Sequence, residues 1–200
     1  TPSGALVYDD YAHNPEKILA CLRAMRELTS GDLYAVFQPH GFKPFDFMRD
    51  ELYRDLEGEL RARDRFILLP PYYAGGTTSF KPTAEEVCRE WRAASRRPER
   101  FMTFPDRETL TDFLLLSTRP GDLIVIMGAR DNSLSDYAAA LVCGTVWTAG
   151  AAQRCFRRRL DEGMFNCSRY LATVLRATAR PSALSCCASC SSESGFAGFS

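Results

Sequence analysis

Apolar residues recur along the first two thirds of the chain in two alternating rhythms. Short continuous runs have the length and the branched or aromatic content of buried strands. They are Ala5-Leu6-Val7-Tyr8, Leu33-Tyr34-Ala35-Val36-Phe37, Phe66-Ile67-Leu68-Leu69, Phe101-Met102-Thr103-Phe104 and Leu123-Ile124-Val125-Ile126-Met127. After each comes a stretch in which apolar positions return at helical spacing. Ile18, Leu19, Leu22, Met25 and Leu28 mark the first, and Phe47, Leu52, Leu56 and Leu60 the second. Val87, Cys88 and Trp91, then Leu110, Phe113 and Leu114, then Leu134, Tyr137 and Leu141 mark the rest. Local signals agree: Asn14-Pro15-Glu16 opens a helix with a cap residue and a first-turn proline, and Gly31 closes it. Pro82-Thr83-Ala84 and Asp106-Arg107-Glu108 open two others. Five strand–helix units in succession predict an α/β fold, Rossmann-like, with a mostly parallel sheet and helices on both faces. In such folds ligands meet the loops at the carboxyl ends of the strands.

Composition changes this picture in one respect. The 200 residues carry 25 Lys and Arg against 25 Asp and Glu, so nucleic acid is not expected as a partner. No apolar run approaches the roughly 20 residues of a membrane helix, and no membrane partner is expected. The residues after Thr1 lack the basic start of a signal peptide, and without an initiator Met the chain is expected to be cut from something longer. The neutral total, however, is a sum of unlike parts. Up to Cys143 there are 22 acidic and 18 basic residues, whereas from Gly144 to Ser200 there are 3 and 7. That second part loses the strand–helix rhythm. It contains Arg157-Arg158-Arg159 and ends in a Ser- and Cys-rich stretch. The division predicted is a domain over 1–143 and an irregular tail over 144–200, outside the fold. Cys187-Ala188-Ser189-Cys190 has no second ligand pair at zinc spacing, and no metal site is assigned.

Both histidines sit at strand carboxyl ends. Asp9-Asp10-Tyr11-Ala12-His13-Asn14-Pro15 gathers two carboxylates, a phenol, an imidazole and a helix start, which suits an anionic or metal-bound ligand. The same residues equally suit a capped turn with His13 packed on its helix. Gln38-Pro39-His40 is open to the same two readings. Tyr73-Ala74-Gly75-Gly76 offers backbone amides but not the ending of a phosphate-binding P-loop. Gly128-Ala129-Arg130-Asp131 has one glycine where a dinucleotide fingerprint needs three, which disfavours a dehydrogenase.

Taken together, these loops resemble the C-terminal domain of the Mur ligases over roughly residues 5–143. Asp9 through Pro15 fit the family pattern Asp-Asp-Tyr-(Gly/Ala)-His-(His/Asn)-Pro, and Phe37-Gln38-Pro39-His40 fits Phe-Gln-Pro-His. Tyr73-Ala74-Gly75 and Met127-Gly128-Ala129-Arg130-Asp131 match the third and fourth patterns more loosely. The resemblance is nearest to the branch that adds L-alanine to UDP-N-acetylmuramate. It implies a cytoplasmic, ATP- and Mg²⁺-dependent ligase of peptidoglycan precursor synthesis. In such enzymes an acyl phosphate forms and the amine of an amino acid attacks it, while the P-loop and the nucleotide-sugar site lie in other domains. His13 and His40 are then the catalytic candidates, and Asp10, Tyr11, Asn14, Gln38, Lys43, Gly75 and Gly128 the binding ones. By that analogy Asp10, Tyr11, His13 and Asn14 face the nucleotide or intermediate, and Gln38 and His40 the amino acid. The sequence departs from the family at Gly41 and Pro44, where the alanine-adding branch has arginines, at Gly76 for Glu, and at Arg130 for Gly. A second reading is a stand-alone α/β ligand-binding or regulatory module without ligase activity.

Overall fold

The computed structural model describes residues 1–73, 75 and 79–144. The expected tail and its Cys-x-x-Cys lie outside the described residues, apart from Gly144.

Five strands form one parallel sheet: β1 Leu6–Asp10, β2 Leu33–Gln38, β3 Arg65–Leu68, β4 Phe101–Thr103 and β5 Leu123–Gly128. Their order across the sheet is β1-β5-β2-β3-β4. Helices α1 Pro15–Leu28, α2 Phe42–Glu59, α3 Ala84–Ala94, α4 Arg107–Ser117 and α5 Ser133–Cys143 follow the strands in turn. The central strands β2 and β5 are buried along almost their whole length, which explains their uninterrupted apolar sequence. Two cores flank the sheet. Ile18, Leu22, Phe45, Leu52, Val87 and Trp91 from α1, α2 and α3 pack on Ala35, Phe37, Phe66 and Val125. Leu110, Leu114, Leu134, Tyr137 and Leu141 from α4 and α5 pack on Val36, Ile67, Ile124 and Ile126. The α/β class with helices on both faces is therefore as predicted.

The helix starts show why these segments fold locally as they do. The Asn14 side-chain oxygen accepts from the Lys17 amide at 2.9 Å, and Asp106 does the same for Thr109 at 2.8 Å. Thr83 and Glu86 form a reciprocal capping box at α3. At the far end of α5, Gly144 takes a left-handed conformation and closes the helix. At the amino ends of the strands, the buried Asp64 accepts from the amides of Leu33 and Arg61 and from Arg26, tying β2 to the loop before β3. Among the described residues, no helix is long and apolar enough to cross a membrane.

One expectation needs correction. Phe47 marks the apolar stripe of the second helix in the sequence, yet it is 92% exposed, and Phe45 and Met48 occupy the core with Leu52 and Leu56. These four share one helical face, and Phe47 lies off it.

The strand order positions the site. The chain leaves β1 and β2 toward α1 and α2 on one face, and leaves β5, which lies between them, toward α5 on the other. Loops that part in opposite directions from neighbouring strands open a crevice at the carboxyl end of the sheet.

Candidate functional site

Register brings the predicted loops together. Asp10 is level with Met127 across β1 and β5, and Gln38 with Gly128 across β2 and β5. The segments that carry His13, His40 and Arg130 therefore emerge side by side. The His13 and His40 rings meet edge to face with centroids 5.3 Å apart, and the exposed Tyr11 ring stands edge-on to His13 at 5.5 Å.

The two imidazoles are held differently. His13 Nδ1 lies 2.9 Å from the Tyr11 carbonyl oxygen. Because a carbonyl only accepts, this nitrogen carries the proton, and Nε2 is left with the lone pair in the neutral ring. His40 continues β2 by pairing with Tyr72: the Gly41 amide donates to the Tyr72 carbonyl at 3.0 Å, and the Tyr72 amide to the Pro39 carbonyl at 2.7 Å. Its Nδ1 is buried and has no hydrogen-bond partner among the described residues. Burial, then His13, then Arg130 lower the pKa of His40 below its ordinary value. Near pH 7 it is therefore a neutral ring.

The other predicted residues divide. Asp10 lies at the end of β1, where its carboxylate accepts from the Ala12 amide at 2.7 Å and faces the buried Cys21. Burial and then Asp10 push the Cys21 thiol up to about 12. Asp9 points to the other face of the sheet and accepts from Ser135 at 2.5 Å. Since β1 runs on through Asp10, strand alternation separates the two carboxylates that the sequence placed in one loop. Asn14 uses its side chain as the α1 cap. Gln38 does not join the histidines: it points toward the α4 side, donating to the Pro70 carbonyl at 3.3 Å and accepting from Arg107 at 3.5 Å. Packing favours glycine at Gly128, because a Cβ there would lie 2.6 Å from Leu134 Cδ1 and 3.1 Å from the Gln38 carbonyl oxygen. Gly75 is exposed at φ +101°. Lys43 is exposed in the first turn of α2, without an ion pair among the described residues.

Two departures from the family pattern have backbone consequences. Gly41, where the resemblance to the alanine-adding branch leads one to expect an arginine, adopts φ 85° and ψ 149°, a conformation open essentially to glycine alone. Arg130, at a glycine position, has φ 73°, where a Cβ is crowded.

Sequence reasoning missed Arg107. Its guanidinium contacts Asp131 at 2.6 Å, Ser133 Oγ at 2.8 Å and Gln38, and stacks 5.5 Å from the centre of the Tyr137 ring. It thereby joins the loops after β2, β4 and β5. Locally it reads only as the first residue of a helix.

The match with known proteins covers these same elements. Residues 1–130 fit the family model described as Mur ligase, glutamate ligase domain. Relatives include the UDP-N-acetylmuramate–L-alanine ligases of Sinorhizobium fredii and Rhizobium meliloti, 33% and 34% identical over 139 residues. Each alignment covers 70% of this chain and 28% of the relative, so the chain spans little more than a quarter of their length. A murein peptide ligase structure from Psychrobacter arcticus shares the fold with a TM-score of 0.54 and 19% identity, covering 71% of this chain and 28% of that one.

Proposed function

From the premise that this chain belongs to the Mur ligase family through its glutamate ligase domain, we propose that it is the C-terminal domain of an ATP-dependent acid–amino-acid ligase in the cytoplasm. Its substrates in this reading are ATP, a UDP-N-acetylmuramate-like carboxylate and L-alanine or a similar amino acid. The carboxylate takes the γ-phosphoryl group of ATP and ADP leaves. The amino acid's amine then attacks the acyl carbon, inorganic phosphate departs and an amide bond remains. Such chemistry depends on positioning and charge stabilisation more than on covalent help from the protein.

The observation that carries this reading is the convergence of His13 and His40 from separate strand ends onto one crevice. An incoming amino acid arrives as an ammonium and must lose one proton to become a nucleophile, and a second after it has attacked. His13, with Nδ1 tied to the Tyr11 carbonyl, offers Nε2 as the acceptor. The neutral His40 ring forms the facing wall, and Tyr11 an exposed planar surface beside it. Asp10 and Asn14 serve by shaping the loop, since both carboxylate and amide are engaged with its backbone. Gln38 holds the loops after β2 and β3 together. Gly75 and Lys43 are exposed at the same end of the sheet and would contact the phosphates. Mg²⁺ would neutralise the transferring phosphoryl charge. Among the described residues no three His, Cys, Asp or Glu converge on a metal site, so no role in holding it is assigned to this chain.

The test is phosphate release from ATP by the protein that carries this domain, with UDP-N-acetylmuramate and each amino acid in turn. Turnover that needs all three components, with an amide product of the summed mass less water, supports the reading. Turnover indifferent to amino acid, or none, contradicts it and leaves a binding module.

A further inference from the structure

We infer that Arg130 is the residue that binds the carboxylate of the amino-acid substrate at the His13–His40 crevice. The inference rests on the ligase reading and adds to it the group that recognises the substrate's acid end.

Three observations lead there. First, position: Arg130 lies in the loop leaving β5, the strand between β1 and β2, so its backbone emerges between the His13 and His40 loops. Its charge is felt at His40, in keeping with that placement. Second, availability: Arg130 is exposed and forms no hydrogen bond or ion pair among the described residues. The nearby Asp131, the obvious local acid, is already engaged by Arg107, Ser133 Oγ and the Ser133 amide. The guanidinium is thus left without a protein partner among the described residues, and its planar fork matches a carboxylate in two parallel hydrogen bonds. Third, cost: the residue sits at φ 73° between the buried Ala129 and the anchored Asp131. Glycine would fit that backbone without penalty, so folding alone gives no reason for a large side chain there.

The loop after β2 cannot supply the contact itself. Gly41 has no side chain, Pro44 no charge, and Lys43 offers an ammonium that cannot grip a carboxylate in the same forked geometry. In this assignment the carboxylate rests on Arg130 and the amine, carried on the same carbon, is directed to His13 Nε2.

The experiment uses the full 200-residue chain and follows the side-chain NMR signals of His13 and His40 as L-alanine, L-alaninamide or inorganic phosphate is added. L-alanine is expected to shift both rings saturably, and L-alaninamide, which lacks the carboxylate, to bind at least tenfold more weakly. Arg130→Gly, a variant that suits the backbone and so folds, is expected to lose at least tenfold in L-alanine affinity, and Arg130→Lys to recover part of it. Equal L-alanine affinity in wild type and Arg130→Gly overturns the assignment, as does equal binding of the amide. Saturation by phosphate with no response to L-alanine also overturns it, since the arginine would then serve a phosphoryl group. Loss of amino-acid-dependent turnover in the parent protein, with the L-alanine contact intact, would instead count against the ligase reading alone.

Discussion

Arg107 and Asp131 form an ion pair of 2.6 Å that joins the start of α4 to the loop leaving β5, with their side chains only 13% and 12% exposed. Burial alone would raise the Asp131 pKa, but hydrogen bonds from Ser133 and the charge of Arg107 hold it below the ordinary carboxylate value. Removing the guanidinium leaves that largely buried carboxylate without its counter-ion. Arg107→Met is expected to destabilise the domain by about 2–4 kcal/mol, read from urea denaturation. Asp131→Asn, which keeps the Ser133 contacts, is expected to cost less. A silent Arg107→Met would mean that the pair is offset by its desolvation cost.

Packing at the end of β5 gives a second expectation. Gly128 is buried opposite Gln38, and any Cβ meets Leu134 and the Gln38 carbonyl. Gly128→Ala must displace the buried Leu134 side chain and crowd the Gln38 carbonyl, at a cost of about 1–3 kcal/mol. Thermal unfolding measures this directly.

Arg130 predicts the opposite sign. Its left-handed backbone costs a residue with a Cβ about 1 kcal/mol relative to glycine, and its side chain forms no contact that offsets this among the described residues. Arg130→Gly is expected to raise stability by up to about 1 kcal/mol, less the entropy that glycine adds to the unfolded chain. Stability gained together with ligand affinity lost is the pattern of a residue kept for binding.

The pH dependence follows from His40. Its folded-state pKa lies below the ordinary 6.5 because of burial, then His13, then Arg130. The unfolded chain therefore takes up the proton first as pH falls. The contribution of neutral His40 to stability is complete above about pH 6.5 and is lost as pH drops through the lower, folded value. Denaturation midpoints between pH 7.5 and 5 are expected to fall, and His40→Gln to remove that part of the slope. Arg130→Gly is expected to narrow the window, since one of the charges opposing protonation is gone.

The fold was legible because β2 and β5 are covered on both faces and so carry unbroken apolar runs. The histidine pair was legible as two loops, but their contact was not, because it depends on β5 inserting between β1 and β2. The Asp9–Asp10 pair misled for a simple reason: β1 extends past its apolar residues and turns neighbouring side chains to opposite faces. Phe45 and Phe47 flank Asp46, and only the place of the sheet decides which is buried. Arg107 left no local signal at all, since its partners Gln38 and Asp131 are distant in sequence.

The central claim is that His13 acts on the amino acid in a ligase reaction. It is tested most directly by L-alanine-dependent ATP turnover in the protein that carries this domain, comparing wild type with His13→Ala. A fall of at least tenfold, equivalent to about 1.4 kcal/mol of barrier, is the predicted result. Unchanged L-alanine-dependent turnover would contradict it and remove His13 from the reaction.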